Sequence, residues 1–426
     1  MSDVHRTIEA VWKRESARLV AAIARVTRDV GIAEELAQDA LVAALERWPI
    51  DGIPEHPAAW LTTAARRRAI DDLRRAQILV RAHEDIARDL ALQEQRLGEE
   101  MDRALDQVID DDILRLIFTA CHPVLPQEGH VALTLRLVGG LTTAEIARAF
   151  LVPEKTVGQR IFRAKKALAE ARVPFETPRG DELARRVTSV LSVIYLIFNE
   201  GYAATSGDSW VRTTLCDEAL RLGRMLAHLL PREPEVHALL ALMELHASRT
   251  AARQGRDGEA VLLPDQDRSQ WDDAQIQRGL VALEQARRLG GGEGYYAVQT
   301  AIAACHMHAR TAEETDWARI VELYDLLLRI TPSPVVALNR AVAVGMAQGP
   351  AAGLAAVDAI ATRPGDPALA RYHLLHSVRG DLLMRLGDFT AAREATERAI
   401  ALTQNHREQD LLTKRLQRIA ALDHAR

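Results

Sequence analysis

LTTAEIARAFLVPEKTVGQRIFRAKKAL, residues 141–168, is the stretch on which the reading of this chain turns. Thr142 or Thr143 can cap a helix whose Ile146 and Ala147 face inward. Phe150 to Pro153 reads as a short turn. Pro153 or Glu154 then opens a second helix with Val157, Ile161 and Ala164 on its inner side. The other side carries Lys155, Gln159, Arg160, Arg163, Lys165 and Lys166. Two short helices joined by a tight turn, the second of them basic, make a helix-turn-helix. The N-terminal half of such a second helix enters the major groove of DNA. Lys155, Thr156, Gln159 and Arg160 are therefore placed for base edges, and Arg163 and Lys166 for phosphates. The bland alternative is a solvated basic helix in an ordinary bundle.

Composition frames this motif. The chain has 426 residues, enough for two to four domains, with 48% hydrophobic and 27% charged residues, which is a folding composition. Aromatics are only 4%, so Ala and Leu must supply the packing, and that favours helices over strands. The net charge of -5 argues against binding bare duplex DNA by overall charge. Residues 153–172 hold six basic residues against two acidic ones, a local patch that the whole-chain charge hides. Three cysteines, Cys121, Cys216 and Cys305, are too few for a disulfide framework and point to a reducing compartment. No apolar run reaches 18 residues, and the N-terminal sequence lacks the apolar segment of a signal peptide. The expectation is a cytoplasmic protein that does not enter a membrane.

Working outward, residues 1–80 read as three helices. Val4, Ile8, Val11, Trp12, Leu19, Ile23 and Val26 form one stripe, broken at Asp29 to Gly31. Ala33 to Trp48 is a second amphipathic helix. A proline-rich loop from Pro49 to Pro57 follows, then a helix from Ala58 to Arg75. That third helix holds WLTTAARRRAIDDLRR (60–75), where Arg66, Arg67, Arg68, Arg74 and Arg75 cluster with Asp71 and Asp72. Residues 83–112 carry eleven acids against three arginines, which reads as a tether or solvated helix. In the next segment, 113–176, Val131, Leu133, Leu135 and Leu137 alternate like a strand. Val131, Leu135 and Val138 also fit a helix, and the helical segments that follow favour the helix.

From 181 to 426 the chain is helical in pattern. Similar helix ends recur at Pro231, Pro332 and Gln404, spacings near three and two multiples of 34–36 residues, the length of a two-helix repeat. Gly380, Gly387, Phe389, Ala392, Ala399 and Leu402 occupy the small and large positions of a tetratricopeptide repeat. An irregular helical bundle is the competing architecture.

Catalytic patterns are missing: there is no Walker loop, GxSxG, HExxH or CxxC. His306 and His308 lie about 200° apart on a helix and do not easily share an ion. The sequence implies no catalytic residue, no metal and no cofactor. An enzyme is the least favoured class.

Together, residues 33–48, 60–75 and 141–168 resemble an extracytoplasmic-function sigma factor of the sigma-70 type. The resemblance implies an all-α protein of two small helical sigma domains, the second a helix-turn-helix, followed by a tetratricopeptide-like helical-repeat domain. It places region 2 at 1–80, an acidic linker at 81–112, region 4 at 113–176 and the extension at 181–426. It implies core RNA polymerase and promoter DNA as partners. AEELAQDALVAALERW would dock on the clamp helices of the largest polymerase subunit through Glu35, Leu36, Asp39, Leu41 and Trp48, and region 4 would meet the flap. Arg66, Arg67, Arg68, Asp71, Arg74 and Arg75 would read and open the -10 element, with residues 49–57 as the pocket for a flipped base. The second helix of 141–168 would read the -35 element. Two departures stand out: the family often has Asn at the place of Arg67 and Gly at the place of Leu151.

The C-terminal half resembles the subgroup with a tetratricopeptide-like extension, through YLIFNEGYAA (195–204), DGEAVLLPDQDRSQWD (257–272) and PSPVVALNRAVAV (332–344). That implies an extension which itself governs activity and can receive a protein or peptide partner. Asn199, Glu200, Asp265, Gln266, Asp267 and Arg268 would be its polar network or ligand site, or simply helix caps and loop bonds. The runner-up function is a stand-alone helix-turn-helix regulator with a repeat-type sensor. A repeat scaffold that binds a peptide and no DNA comes third.

Overall fold

The computed structural model describes residues 3–78, 110–150, 152–203, 211–253, 255, 259–361, 372–403 and 405–424. Among them all regular elements are helices, and the chain divides into two compact units, Met1–Leu196 and Ile197–Arg426. No described helix is long and apolar enough to cross a membrane.

In the first unit, α1 (Asp3–Thr27) buries the expected stripe of Ile8, Val11, Trp12, Leu19 and Ile23. Asp29 ends the break: its side chain accepts from the backbone N–H of Gly31 and Ile32 and so caps α2 (Val30–Asp51). Pro49 lies inside α2 instead of ending it. It forfeits one backbone donor close to the helix end, and Gly52, at φ 86°, closes the helix by donating to the Trp48 carbonyl. The proline-rich loop therefore shrinks to a few residues before α3 (Pro57–Ile78). Trp48 packs edge-on against Trp60 with ring centroids 5.5 Å apart.

The unit continues with α4 (Asp110–Ala120), α5 (Gln127–Leu137), α6 (Thr143–Phe150), α7 (Glu154–Glu170) and the first part of α8 (Asp181–Tyr202). The stretch that alternated like a strand is α5. Ala132, Leu133, Thr134, Leu135 and Leu137 are all buried, so α5 is enclosed on most sides and its apolar residues show no clean helical period. The acidic linker expected over 81–112 falls outside the described residues up to position 109. The two units divide inside α8. Arg186 donates to the Phe118 carbonyl at 2.6 Å and Ser189 to the Cys121 carbonyl at 3.2 Å, which ties the start of α8 to α4.

The second unit holds α9 (Thr213–Leu229), α10 (Pro234–Ala247), three short 3-10 turns, α11 (Asp273–Arg288), α12 (Tyr295–His308), α13 (Trp317–Ile330), α14 (Pro334–Gln348), α15 (Pro350–Ala361), α16 (His373–Leu386), α17 (Phe389–Leu402) and α18 (His406–His424). Helices pack in sequential pairs, α10 on α11, α12 on α13, α14 on α15 and α16 on α17, with α18 against α17. This is the tetratricopeptide-like domain. Successive pairs start at 295, 334 and 373, a longer step than the expected 34–36 residues.

The last pair shows why its residues are small. Gly387 sits at φ 80° and ends α16, and Asp388 caps α17 by accepting from Ala391 N–H. A Cβ on Gly380 would lie 2.7 Å from the Thr396 hydroxyl and 3.3 Å from the Ala392 carbonyl. Thr396 is fully buried and has nowhere to move. Gly380→Val is expected to destabilise the second unit by about 1–3 kcal/mol, read as a lower urea midpoint. An unchanged midpoint would contradict the tight α16–α17 approach.

Candidate nucleic-acid interface

The helix-turn-helix is built by local chemistry. Thr142 and Glu145 form a reciprocal capping box: Thr142 Oγ1 accepts from Glu145 N–H at 3.1 Å, and a Glu145 carboxylate oxygen accepts from Thr142 N–H at 2.7 Å. These bonds, with Lys13 nearby, outweigh burial and hold the Glu145 carboxyl below its ordinary range. Of the two capping threonines, Thr142 is the one used. Pro153, at φ -59° and ψ 141°, is the residue just before α7, so the helix proper begins at Glu154. Leu151, where the family often has Gly, lies outside the described residues.

Helix α7 buries Val157, Ile161, Ala164 and Leu168. Lys155, Gln159, Arg163 and Lys166 are exposed, and Thr156 and Arg160 are half-buried beside them. Phe162 is also exposed, at 67%. Lys155, Gln159, Phe162 and Lys166 recur at helical spacing on one face, so an aromatic ring stands among the basic side chains. Sequence reasoning passed over Phe162 because a phenylalanine beside Ile161 reads as core. Its position one residue off the buried row was the available signal.

Lys165, grouped with the basic face from sequence, points elsewhere. Its Nζ donates to Glu34 Oε2 at 2.8 Å and to Glu35 Oε1 at 3.2 Å, both on α2. Arg136 of α5 donates to Glu34 Oε1 at 2.8 Å. Glu34 is only 7% exposed. Burial opposes the charge on Lys165, but its bonds to Glu34 and Glu35 more than offset this and its pKa is raised. Two further ion pairs involve α1: Arg25 reaches buried Asp112 of α4 at 3.1 Å, and Lys13 reaches Glu145 of α6 at 3.5 Å. The helix-turn-helix is thus clasped against α1 and α2. Sequence gave no sign of this clasp, since its partners lie 102 and 131 positions apart.

On α2 the docking residues expected from sequence divide. Glu35 is exposed, and Asp39 and Leu41 are half-buried. Leu36 and Trp48 are 4% and 2% exposed, so they are corrected to core residues: Leu36 belongs to the buried row of the helix and Trp48 packs on Trp60. The outer face instead shows Ile32, Glu35, Asp39, Val42 and Leu45. On α3, Arg67 and Arg68 are exposed. The side chains of Arg66, Asp71, Arg74 and Arg75 lie outside the described residues.

The polar residues of the C-terminal half resolve into local roles. Glu200 pairs with Arg212. Gln266 donates to the Val261 carbonyl. Asp267 caps a 3-10 turn through Ser269, and Arg268 donates to the carbonyls of His306 and Ala309, closing the end of α12. Asn199 is exposed. Asp265 borders a groove of about 770 Å³ whose other walls include Tyr324, Asn339, Met346, Lys414 and Arg418. The thiols are quiet: burial pushes Cys121 and Cys216 up to about 12, and Cys305 upward as well.

Comparison with known proteins fits these elements. Residues 12–78 match sigma-70 region 2, and residues 115–168 match sigma-70 region 4. The ECF RNA polymerase sigma factor SigL of Mycobacterium tuberculosis is 30% identical over 162 residues, 38% of this chain and 86% of SigL. The chain belongs to the extracytoplasmic-function sigma factors. The probable ECF sigma factor SigI of the same species is 27% identical over 169 residues, covering 40% of this sigma factor and 57% of SigI. Residues 186–287 of the sigma factor match a family of unknown function, DUF6596. An uncharacterized protein of Rhizobium meliloti is 44% identical over 401 residues, 94% of this chain and 93% of the relative. No solved structure matches.

Glu34→Ala in this sigma factor removes the shared partner of two half-buried cations. A loss of about 2–4 kcal/mol is expected in urea unfolding, with Glu34→Gln losing less. Equal stability of Glu34→Ala and the parent would show that the clasp carries no energy.

Proposed function

We propose that this sigma factor brings core RNA polymerase to promoters through three surfaces of its first unit, with residues 1–80 and 113–176 acting as regions 2 and 4. The exposed face of α7 carries the reading. A basic helix held in a helix-turn-helix, with Lys155, Gln159 and Phe162 in one row and Thr156 and Arg160 alongside, suits the -35 element. Arg163 and Lys166 suit the flanking phosphates, and Phe162 supplies an apolar surface for a thymine methyl.

The outer face of α2 is the docking surface for the clamp helices of the polymerase. Ile32, Val42 and Leu45 supply exposed apolar contact between the acids Glu35 and Asp39. Arg67 and Arg68, with Arg66, Asp71, Arg74 and Arg75 of the same helix, serve the -10 element. The second unit modulates activity. Lys414, Arg415 and Arg418 make one wall of its groove basic, which favours an acidic protein segment as the modulating partner.

Initiation by core polymerase on a mapped promoter tests the reading. Arg160→Ala should cut initiation about 5- to 100-fold, the range of one good base contact, while core binding is retained. Full activity of that variant would remove Arg160 from the -35 contact. Duplex operator binding without polymerase, and no initiation, would turn the reading to a stand-alone regulator.

Val42→Glu with Leu45→Glu should abolish core binding and leave thermal stability close to the parent, because both side chains are exposed. Normal core binding by this variant would move the docking surface off α2.

A further inference from the structure

The groove of the second unit has two kinds of wall. Lys414, Arg415 and Arg418 of α18 make one of them basic. The other is the end where Leu262, Asp265, Arg268, His306, Thr315 and Trp317 meet.

Behind that end stands a stack of alternating cations and rings. The Arg268 guanidinium lies 4.6 Å from the centre of the Trp271 ring, and Arg249 lies 5.9 Å from the same ring and from that of Tyr202. Arg253 lies 3.7 Å over Tyr202 in turn. Arg249 is 6% exposed, and no carboxylate among the described residues pairs with it. Its Nε has no hydrogen-bond partner among them either. A buried guanidinium without a counter-charge leaves a positive field around it. His306 responds to that field: burial, then Arg249 and Arg268, push its pKa down to about 4, so the ring is uncharged at neutral pH.

The groove end is furnished to use the field. Arg268 donates from Nη1 to the carbonyls of His306 and Ala309, and its Nε and Nη2 have no hydrogen-bond partner among the described residues. Thr315 is 6% exposed, and its hydroxyl likewise has none. The Trp317 ring stands edge-on to His306 with centroids 5.2 Å apart, and Leu262 adds an apolar rim. The acids that act on Arg268, Glu313 and Glu314, lie at the surface, and Glu314 is engaged by Arg310. Asp265 stands on the exposed rim. A concave space of about 770 Å³, mainly apolar with a few converging polar groups, has the size and make-up of a small-ligand site.

We propose that this end of the groove binds a small organic anion with a flat apolar body. The anionic head takes the open N–H groups of Arg268 and the Thr315 hydroxyl, and the body lies against Trp317 and Leu262. Arg249 adds attraction from behind. The assignment gives the stretch 257–272 a task, because that stretch brings Leu262, Arg268 and Trp271 to one place. It goes beyond the sigma reading and does not depend on it.

Titration of the full-length protein with 8-anilinonaphthalene-1-sulfonate, followed by fluorescence, tests the site. The uncharged N-phenyl-1-naphthylamine has the same rings without the sulfonate. The sulfonate is expected to saturate one site and to bind at least tenfold more tightly than the neutral probe. Leu262→Glu places a negative charge at an exposed rim position, where the fold tolerates it. It should weaken the sulfonate about tenfold or more and the neutral probe far less. No saturable binding of the sulfonate, or equal affinity for the two probes, would overturn the proposal. So would sulfonate binding that survives Leu262→Glu, and its loss in Lys414→Ala/Arg418→Ala would then assign the probe to the basic wall.

Discussion

A carboxylate taken out of water must find positive charge, and Glu34 finds two. Arg136 comes from α5 and Lys165 from α7, so one buried group on α2 fixes the position of both. Nearby pairs repeat the arrangement, with Asp112 only 1% exposed. Arg25 reaches buried Asp112, and Lys13 reaches the Glu145 that also caps α6. Close backbone approach accompanies the charges: Gly140, at φ 68°, leaves no room for a Cβ beside Ser16. The first unit is therefore held by directional polar contacts as well as by packing, and such contacts have two discrete states, made or broken.

The second unit follows a different logic. Its core is a series of small clusters, one around Val298, Ile320 and Leu323, another around Leu338, Val357 and Leu382, a third around Leu383, Ala392 and Ile419. Each pair of helices buries its apolar face on its neighbours, as expected of repeats. With few aromatic residues, close packing depends on glycine and alanine at the crossings. Gly345 and Gly353 approach so closely that a Cβ on Gly353 would meet the Gly345 backbone at 2.7 Å. A groove bordered by basic side chains remains on this unit, and Arg268, which bonds the His306 carbonyl, lines it together with Asp265.

Local chemistry made much of this legible. The Thr142–Glu145 cap, the inward row of Val157, Ile161 and Ala164, and the small residues at Gly380 and Ala392 each act over a few positions, and sequence shows such spacings directly. Helix boundaries were less clear. Pro49 reads as a stop, yet near a helix end it costs only one donor, and the helix runs on to Asp51. Leu36 and Trp48 show a different limit: a motif marks a helix as functional without saying which of its faces is buried. Lys165 shows the greatest limit. On its own helix it belongs to the basic face, and only a carboxylate on a distant segment reveals that it serves the fold. Phe162 is the mirror case, an apolar residue in a surface row.

The three cysteines carry a quieter consequence. Burial is the main force raising all three, and at neutral pH they are protonated. A protonated thiol is a poor nucleophile toward peroxides and disulfides, and Cys121 and Cys216 are enclosed as well, while Cys305 is half-buried. None of the three thiols is therefore activated as a nucleophile by its surroundings, and each serves as a small apolar side chain in the packing around it.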